Sequence, residues 1–203
     1  MITKGDIKLV DLKKLADDSV NAPWGMGHKE FKGNSEIWAP YLRFLYKCVQ
    51  TYLPELIIEC GVYMATATEH MALANDEGLV VGIDRDYHPA AYNVVRRQRN
   101  VRFVTGDTSD SFESVRVFAE DRLLELLFLD STHDGVTPNR EFETYEPLMG
   151  EECLVACDDI LENQQMIDWW NSIEYPKLEL NYLHPYPAPG GPKVGFGAFI
   201  YQR

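Results

Sequence analysis

From residue 56 onward the chain alternates short apolar runs with segments of helical periodicity, and this rhythm restricts the fold more than any other feature. The apolar runs are 56–60, 79–83, 101–104, 123–129 and 153–157, and the helical patterns between them are 65–74, 89–99, 112–120 and 138–149. Runs this short suit strands buried on both faces, whereas the intervening segments have helical length and period. Pro138 directly after Thr137 marks a helix start, because proline fits the first helical turn. Five strands alternating with helices predict an α/β fold, a doubly wound, mostly parallel Rossmann-like sheet with right-handed crossovers. The tail changes character. Residues 177–183 alternate with period two, 194–201 read as another strand, and the stretch 184–192 between them is rich in proline and glycine. That pattern predicts a long-looped hairpin that places an antiparallel C-terminal strand at one edge of the sheet. Residues 1–54 read as a helical appendage or lid with one helix over 35–52, and residues 55–203 as the ligand-binding domain.

Charge excludes one class of partner. Asp and Glu number 32 against 19 Lys and Arg, for a formal net charge of -13, and such a field repels phosphate backbones. The basic cluster Arg96, Arg97, Arg99 and Arg102 falls at the end of a helical pattern, where cations favour the helix dipole. The expectation is no nucleic-acid partner. No apolar run reaches the length of a membrane span, so no membrane partner is expected either. Cys48, Cys60, Cys153 and Cys157 fit no zinc-ribbon spacing and read as small buried hydrophobes, which points to a reducing cytoplasm. A small-molecule partner remains, and a homo-oligomer is compatible with the sequence.

In an open α/β sheet, ligands sit beyond the carboxyl ends of the strands, where the strand order reverses. The first strand is followed by Gly61, Val62 and Tyr63, and a glycine there lets the backbone turn tightly against a ligand. The second ends at Asp84, a carboxylate suited to ribose hydroxyls. The third leads into Gly106, Asp107 and Thr108, an acidic turn suited to an adenine amino group. Singly, each has a plain structural explanation as turn, cap or loop; together they stand at successive strand ends. A nicotinamide dinucleotide fits poorly, because its Gly-x-Gly-x-x-Gly turn is represented by Gly61 alone in the stretch 61–66.

The fourth strand is followed by Asp130 and His133, and the fifth by Asp158 and Asp159. Neighbouring strand ends lie close, so the three carboxylates Asp130, Asp158 and Asp159 converge and repel each other unless a cation joins them. Carboxylate oxygens with open positions suit Mg²⁺. The alternative is that Asp158 or Asp159 caps the next helix, over 163–172. His133 is either polar surface or a general base. Trp24, His28, Trp169, Trp170 and Tyr186 are candidates to shape a pocket; as Trp169 and Trp170 are adjacent, one faces inward and the other is free to line the cleft.

The ordered set Glu-x-Gly-Val-Tyr, Gly-Ile-Asp, Gly-Asp, Leu-Asp-x-x-His and Asp-Asp-Ile, spanning Glu59 to Ile160, resembles class I S-adenosylmethionine-dependent methyltransferases. Within them it is most similar to the small-molecule and sugar O-methyltransferases and the cephalosporin-hydroxylase-type group. The resemblance implies that Glu59 and Gly61 hold the amino-acid part of S-adenosylmethionine, Asp84 the ribose and Asp107 the adenine. It also implies a metal at Asp130, Asp158 and Asp159, with His133 as the base that deprotonates an acceptor hydroxyl. The chain departs from the family where Ala65-Thr66-Ala67 replaces a common Gly-Gly-Ser, so the loop differs in shape. Metal-assisted O-methylation of a small hydroxylated molecule, a sugar or natural-product phenol, is the leading expectation. A catalytically silent S-adenosylmethionine-binding protein that supports a partner enzyme is the alternative.

Overall fold

A computed structural model describes residues 7–21, 40–86, 88–184 and 194–203. Seven strands form one sheet: β1 (Leu56–Cys60), β2 (Leu79–Asp84), β3 (Val101–Thr105), β4 (Leu124–Leu129), β5 (Met149–Asp158), β6 (Lys177–Glu179) and β7 (Phe196–Gln202). Their spatial order is β3-β2-β1-β4-β5-β7-β6. The first five are parallel, and β7 runs antiparallel to both of its neighbours. The chain builds outward from β1 to β3 and then crosses back to β4, so the order reverses between β1 and β4. This is the doubly wound α/β fold that the alternating runs predict.

The helices are α1 (Leu9–Asn21), α2 (Pro40–Tyr52), α3 (Thr66–Ala74), α4 (Pro89–Arg97), α5 (Phe112–Ala119), α6 (Thr137–Tyr145) and α7 (Gln164–Ser172). They cover both faces of the sheet, and successive strand residues supply two separate cores. Ile57, Val80, Leu126 and Phe128 pack with Leu12, Ala16, Leu42, Phe44 and Leu45 of α1 and α2. Leu56, Ile58, Val81 and Leu127 pack with Val115, Tyr145 and Met166 of α5, α6 and α7. The alternation follows from the two-residue period of a strand.

Several boundaries differ from the sequence expectation. β5 extends over ten residues rather than five, because its amino-terminal half is paired across to the end of β7. The hairpin strand expected over 177–183 stops at Glu179, where Asn181–Leu183 tightens into a 3-10 turn. The edge position belongs to β6, while β7 is inserted between β5 and β6. α1 gave no sequence signal that was read as a helix. Trp169 and Trp170 are both buried in the second core, with Trp170 closing on Gly197, so neither is free to line a cleft. Trp170 also packs on Phe199 of β7, and the two indoles lie against each other at 6.5 Å. Trp24, His28 and Tyr186 lie outside the described residues. All four cysteines are free and buried, and no helix among the described residues is long and apolar enough to cross a membrane.

One backbone junction sets the geometry at the strand ends. Gly61 has φ +89°, and a Cβ built on it would stand 2.0 Å from the carbonyl oxygen of Asp130. The peptide NH of Gly61 donates to Ile83 and that of Asp130 to Cys60, which extends the parallel ladder past the last strand residues. Gly61→Ala is therefore expected to cost about 3 kcal/mol through overpacking and left-handed strain combined, read as a lower urea midpoint. A loss below about 1 kcal/mol would mean that this junction relaxes freely.

Candidate active site

The crevice beyond β1 and β4 holds a cavity of about 300 Å³ lined by Gly61, Tyr63, Asp84, Arg85, Thr108, Asp130, Ser131 and Thr132. The ends of β1, β2 and β3, expected to bind a ligand, thus meet that of β4 around one space. The Asp84 carboxylate is fixed in it. Its Oδ2 accepts the peptide NH groups of both Val62 and Tyr63 at 2.8 Å, so β2 ties down the turn after β1. The turn needs tying. Tyr63 has φ +44° and Ala65 φ +60° in addition to Gly61, and non-glycine residues resist that region. Ala65 stands where the resembled family commonly has a glycine, and its left-handed backbone shows why glycine suits the position.

Not every expected donor residue reaches this cavity. Glu59 is buried in β1, where its Oε2 accepts the Thr68 hydroxyl of α3, and burial raises its pKa well above the usual carboxyl range. Val62 is buried and its NH is engaged by Asp84. Gly106 does not line the cavity, its NH donating to the Asp84 carbonyl at 2.9 Å, and Asp107 faces a hollow of about 400 Å³ with Ser109, Arg140 and Thr144. Asp107 pairs with Arg85 at 2.7 Å, and that guanidinium holds its carboxyl below the usual range. The cavity residues Arg85, Ser131 and Thr132 escaped the sequence reading because each flanks a recognised acid without belonging to a motif. A larger hollow of about 850 Å³, lined by Leu53, Pro54, Gly78 and Asp121 among others, lies at the opposite ends of the strands and shares no residue with the crevice.

Beside the cavity lies a cluster of acids and imidazoles. His133 Nδ1 is 2.9 Å from Glu162 Oε2 and 3.2 Å from Asp159 Oδ2, while Nε2 is 3.7 Å from Asp130 Oδ1. Burial disfavours the imidazolium, but the neighbouring carboxylates, Asp130 first and then Asp159 and Glu162, outweigh it and raise its pKa to about 9. On the other side, His184 Nε2 is 3.6 Å from Asp158 Oδ1. The His184 ring stacks on Tyr41 of α2 at 5.5 Å. Ligand atoms of His133, Asp159 and Glu162 come within 4.8 Å of one another, as do those of Asp158, Asp159 and His184. Asp159 is shared by both sets. Asp130 approaches through His133 rather than as a direct third carboxylate, so the arrangement is a chain of acids bridged by two imidazoles.

The acids are strained and under-compensated. Burial, then Asp130 and Asp159, push Asp158 far above its usual range. Asp130 is raised by burial against the pull of His133. Asp159, held at φ +55°, rises to about 6 through burial, opposed by His133. Helix capping does not account for them. Asn163 caps α7, its Oδ1 accepting the NH of Met166 at 3.0 Å, and its Nδ2 donates to the His133 carbonyl at 2.7 Å. Glu162 and His184 were missed in sequence. Glu162 sits three residues beyond Asp159, a spacing that a turn folds back, but His184 opens a proline-rich loop with no local signal.

A family model described as a methyltransferase domain matches residues 58–160, the span from β1 to just past β5. The chain belongs to that methyltransferase family. It is an S-adenosylmethionine-dependent methyltransferase, and the crevice at β1 and β4 lies within the matched span. Solved methyltransferases of the same fold accompany it. TomG, an O-methyltransferase of Streptomyces achromogenes involved in tomaymycin synthesis and solved with S-adenosylmethionine, superposes with a TM-score of 0.63 at 13% identity, covering 99% of this chain and 92% of that one. A Staphylococcus aureus protein provisionally assigned as a caffeoyl-CoA O-methyltransferase gives 0.61 at 16%, covering 98% and 93%. CalS11, a TDP-rhamnose 3'-O-methyltransferase of calicheamicin biosynthesis, gives 0.56 at 16%, covering 95% of each chain. At these identities the likeness establishes the fold. The comparison with curated proteins gives no match.

Asp84→Ala removes the expected ribose ligand together with the two hydrogen bonds that set the turn. It is expected to weaken S-adenosylhomocysteine binding by about 1.5–3 kcal/mol in calorimetry, as for loss of a charge-assisted hydrogen bond. Unchanged affinity would place the donor elsewhere. In the unaltered protein, S-adenosylhomocysteine at about one hundred times its Kd should add about 2.7 kcal/mol of stability, and NAD should add none.

Proposed function

We propose that this methyltransferase moves the methyl group of S-adenosylmethionine onto a hydroxyl of a small polyhydroxylated molecule, a sugar or natural-product phenol, with the help of Mg²⁺. The observation that carries this reading is that one residue, Asp130, belongs to both halves of the site: it lines the 300 Å³ cavity and it faces His133 of the acid cluster. In this reading Gly61, Tyr63, Asp84 and Thr108 contact the donor, Asp107 with Arg85 closes the adenine end, and Asp158 and Asp159 hold the cation, with Asp130 beside them across His133. The names of TomG and CalS11, both O-methyltransferases, support oxygen as the atom methylated.

The residues present fit a divalent cation. Oxygen donors predominate, among the described ion pairs the acids meet only imidazoles, and Nε2 of His133 is buried with no hydrogen-bond partner. A bound divalent cation supplies Lewis acidity that lowers the pKa of a coordinated hydroxyl. The chain's own residues do the rest. Methyl transfer is an in-line displacement: the oxygen–carbon bond forms as the carbon–sulfur bond breaks, leaving S-adenosylhomocysteine, and the hydroxyl proton must depart. His133 is the residue placed to take that proton, through Nε2, since Nδ1 is already held by Glu162 and Asp159. Its high pKa has the three carboxylates as its cause, so neutralising them frees the imidazole to act as base. Asn163, by gripping the His133 carbonyl, holds this loop against α7. Tyr41 of α2, stacked on His184, lies beside the acids and is the described part of residues 1–54 nearest to them.

The test is methyl transfer to a panel of sugars and phenols, with and without chelator. Transfer is expected to collapse in chelator while S-adenosylhomocysteine binding persists, and His133→Ala should slow transfer by roughly 10²–10⁴-fold. Full activity in chelator would remove the cation from the mechanism. Donor binding without release of S-adenosylhomocysteine on any acceptor would instead favour the silent-binder alternative.

A further inference from the structure

Behind the donor cavity lies a carboxyl that the transfer reaction does not use. Glu141, on the inward face of α6 between Pro138 and Tyr145, is 0% exposed. Its Oε1 accepts the hydroxyl proton of Ser131, and its Oε2 is buried with no hydrogen-bond partner. Burial pushes its pKa up to about 7, against the pull of the Ser131 hydroxyl and, more weakly, of the nearby Thr108 hydroxyl. The rest of this helix face is structural in an ordinary way. Tyr145 donates to the Thr108 carbonyl at 2.6 Å and Thr144 to the Ser109 carbonyl at 2.9 Å, which pins the loop after β3 against α6.

Stability does not account for Glu141. A buried carboxyl with one oxygen unpaired costs free energy, and an apolar side chain of similar shape would be neutral or better there provided the Ser131 hydroxyl, which borders the cavity, turns to another partner. What Glu141 does achieve is to fix the polarity of Ser131. A serine hydroxyl has one proton and two lone pairs. With the proton given to Glu141, Oγ has only acceptor capacity left for anything else, and Ser131 lines the cavity together with Thr108 and Asp84.

We propose that Glu141 is a positioning residue for donor recognition: by taking the Ser131 proton it makes Ser131 Oγ an acceptor-only group in the cavity, which selects a purine bearing an amino group at position 6 and rejects one bearing a carbonyl. This rests on the reading of the cavity as the nucleoside site, with the base on the side of the loops after β3 and β4. A 6-oxo purine would set oxygen against oxygen there, leaving both without a proton.

The probes are S-adenosylhomocysteine and S-inosylhomocysteine, compared by calorimetry at pH 8.5, where Glu141 is ionised. The unaltered protein is expected to prefer the adenosyl compound by roughly ten-fold or more, the value of a hydrogen bond matched against one mismatched. Glu141→Met frees the Ser131 hydroxyl to turn and donate, so the preference should shrink to within about three-fold while the melting temperature is held or rises. Ser131→Ala should shrink it likewise, and the double variant should show no further loss. A purely structural role would lower the melting temperature and leave the preference intact. An unchanged preference in both single variants overturns the proposal while leaving the donor reading standing. Failure of S-adenosylhomocysteine to bind the unaltered protein overturns both.

Discussion

The approach of Gly61 to the Asp130 carbonyl governs everything built at the carboxyl ends of the strands. Because no side chain separates them, β1 and β4 stay in parallel register beyond their last strand residues. The donor turn and the acid-bearing loop therefore leave the sheet as neighbours. Were the two loops a side chain's width further apart, Asp130 would not serve the cavity and the cluster at once. Asp84 completes the arrangement from the other flank by holding two peptide NH groups of the same turn. A turn with three left-handed residues in five would otherwise have little reason to keep one shape.

The electrostatics of the site divide along the same line. On the donor side, acids are satisfied by peptide NH groups or by Arg85, which suits the binding of a neutral nucleoside with a cationic sulfonium. In the neighbouring cluster, Asp130, Asp158 and Asp159 are crowded with imidazoles as their partners. Charge is thus left over where a cation is proposed and nearly balanced where the donor is expected. The two environments sit within a few residues of each other because one strand end, that of β4, contributes to both.

Much of this was legible in the sequence, for identifiable reasons. The buried parallel strands announce themselves as short apolar runs, and the acids that follow them, Asp84, Asp130, Asp158 and Asp159, are positioned by strand length alone. What stayed hidden depends on tertiary geometry. Glu59 follows the motif yet turns into the interior to meet Thr68. His184 reaches the cluster only because β6 pairs with β7 and is followed by the 3-10 turn Asn181–Leu183, neither of which has a local signal pointing at the acids. Glu141 did leave a trace, since Pro138, Glu141 and Tyr145 share the apolar face of a helix, and a carboxylate on such a face signals a buried role. The indole pair misled, because the neighbour relation of Trp169 and Trp170 says nothing about how wide the helix–sheet interface is.

The insertion of β7 between β5 and β6 carries a consequence for the order in which the molecule is assembled. β6 has no partner in the sheet except β7, and β5 is left with a bare edge until a strand some forty residues later arrives. Contacts separated this far along a chain form slowly, because the loop must close before the pairing rewards it. The pairings of β1 with β2 and of β2 with β3 join near neighbours (Leu56 with Leu79, Val80 with Val101), whereas β1 meets β4 only by joining Ile57 to Leu126. The β1-β2-β3 unit is therefore expected to form ahead of the rest, and both the crevice, which needs β4, and the acid-bearing edge, which needs β7, are completed by the later long-range pairings.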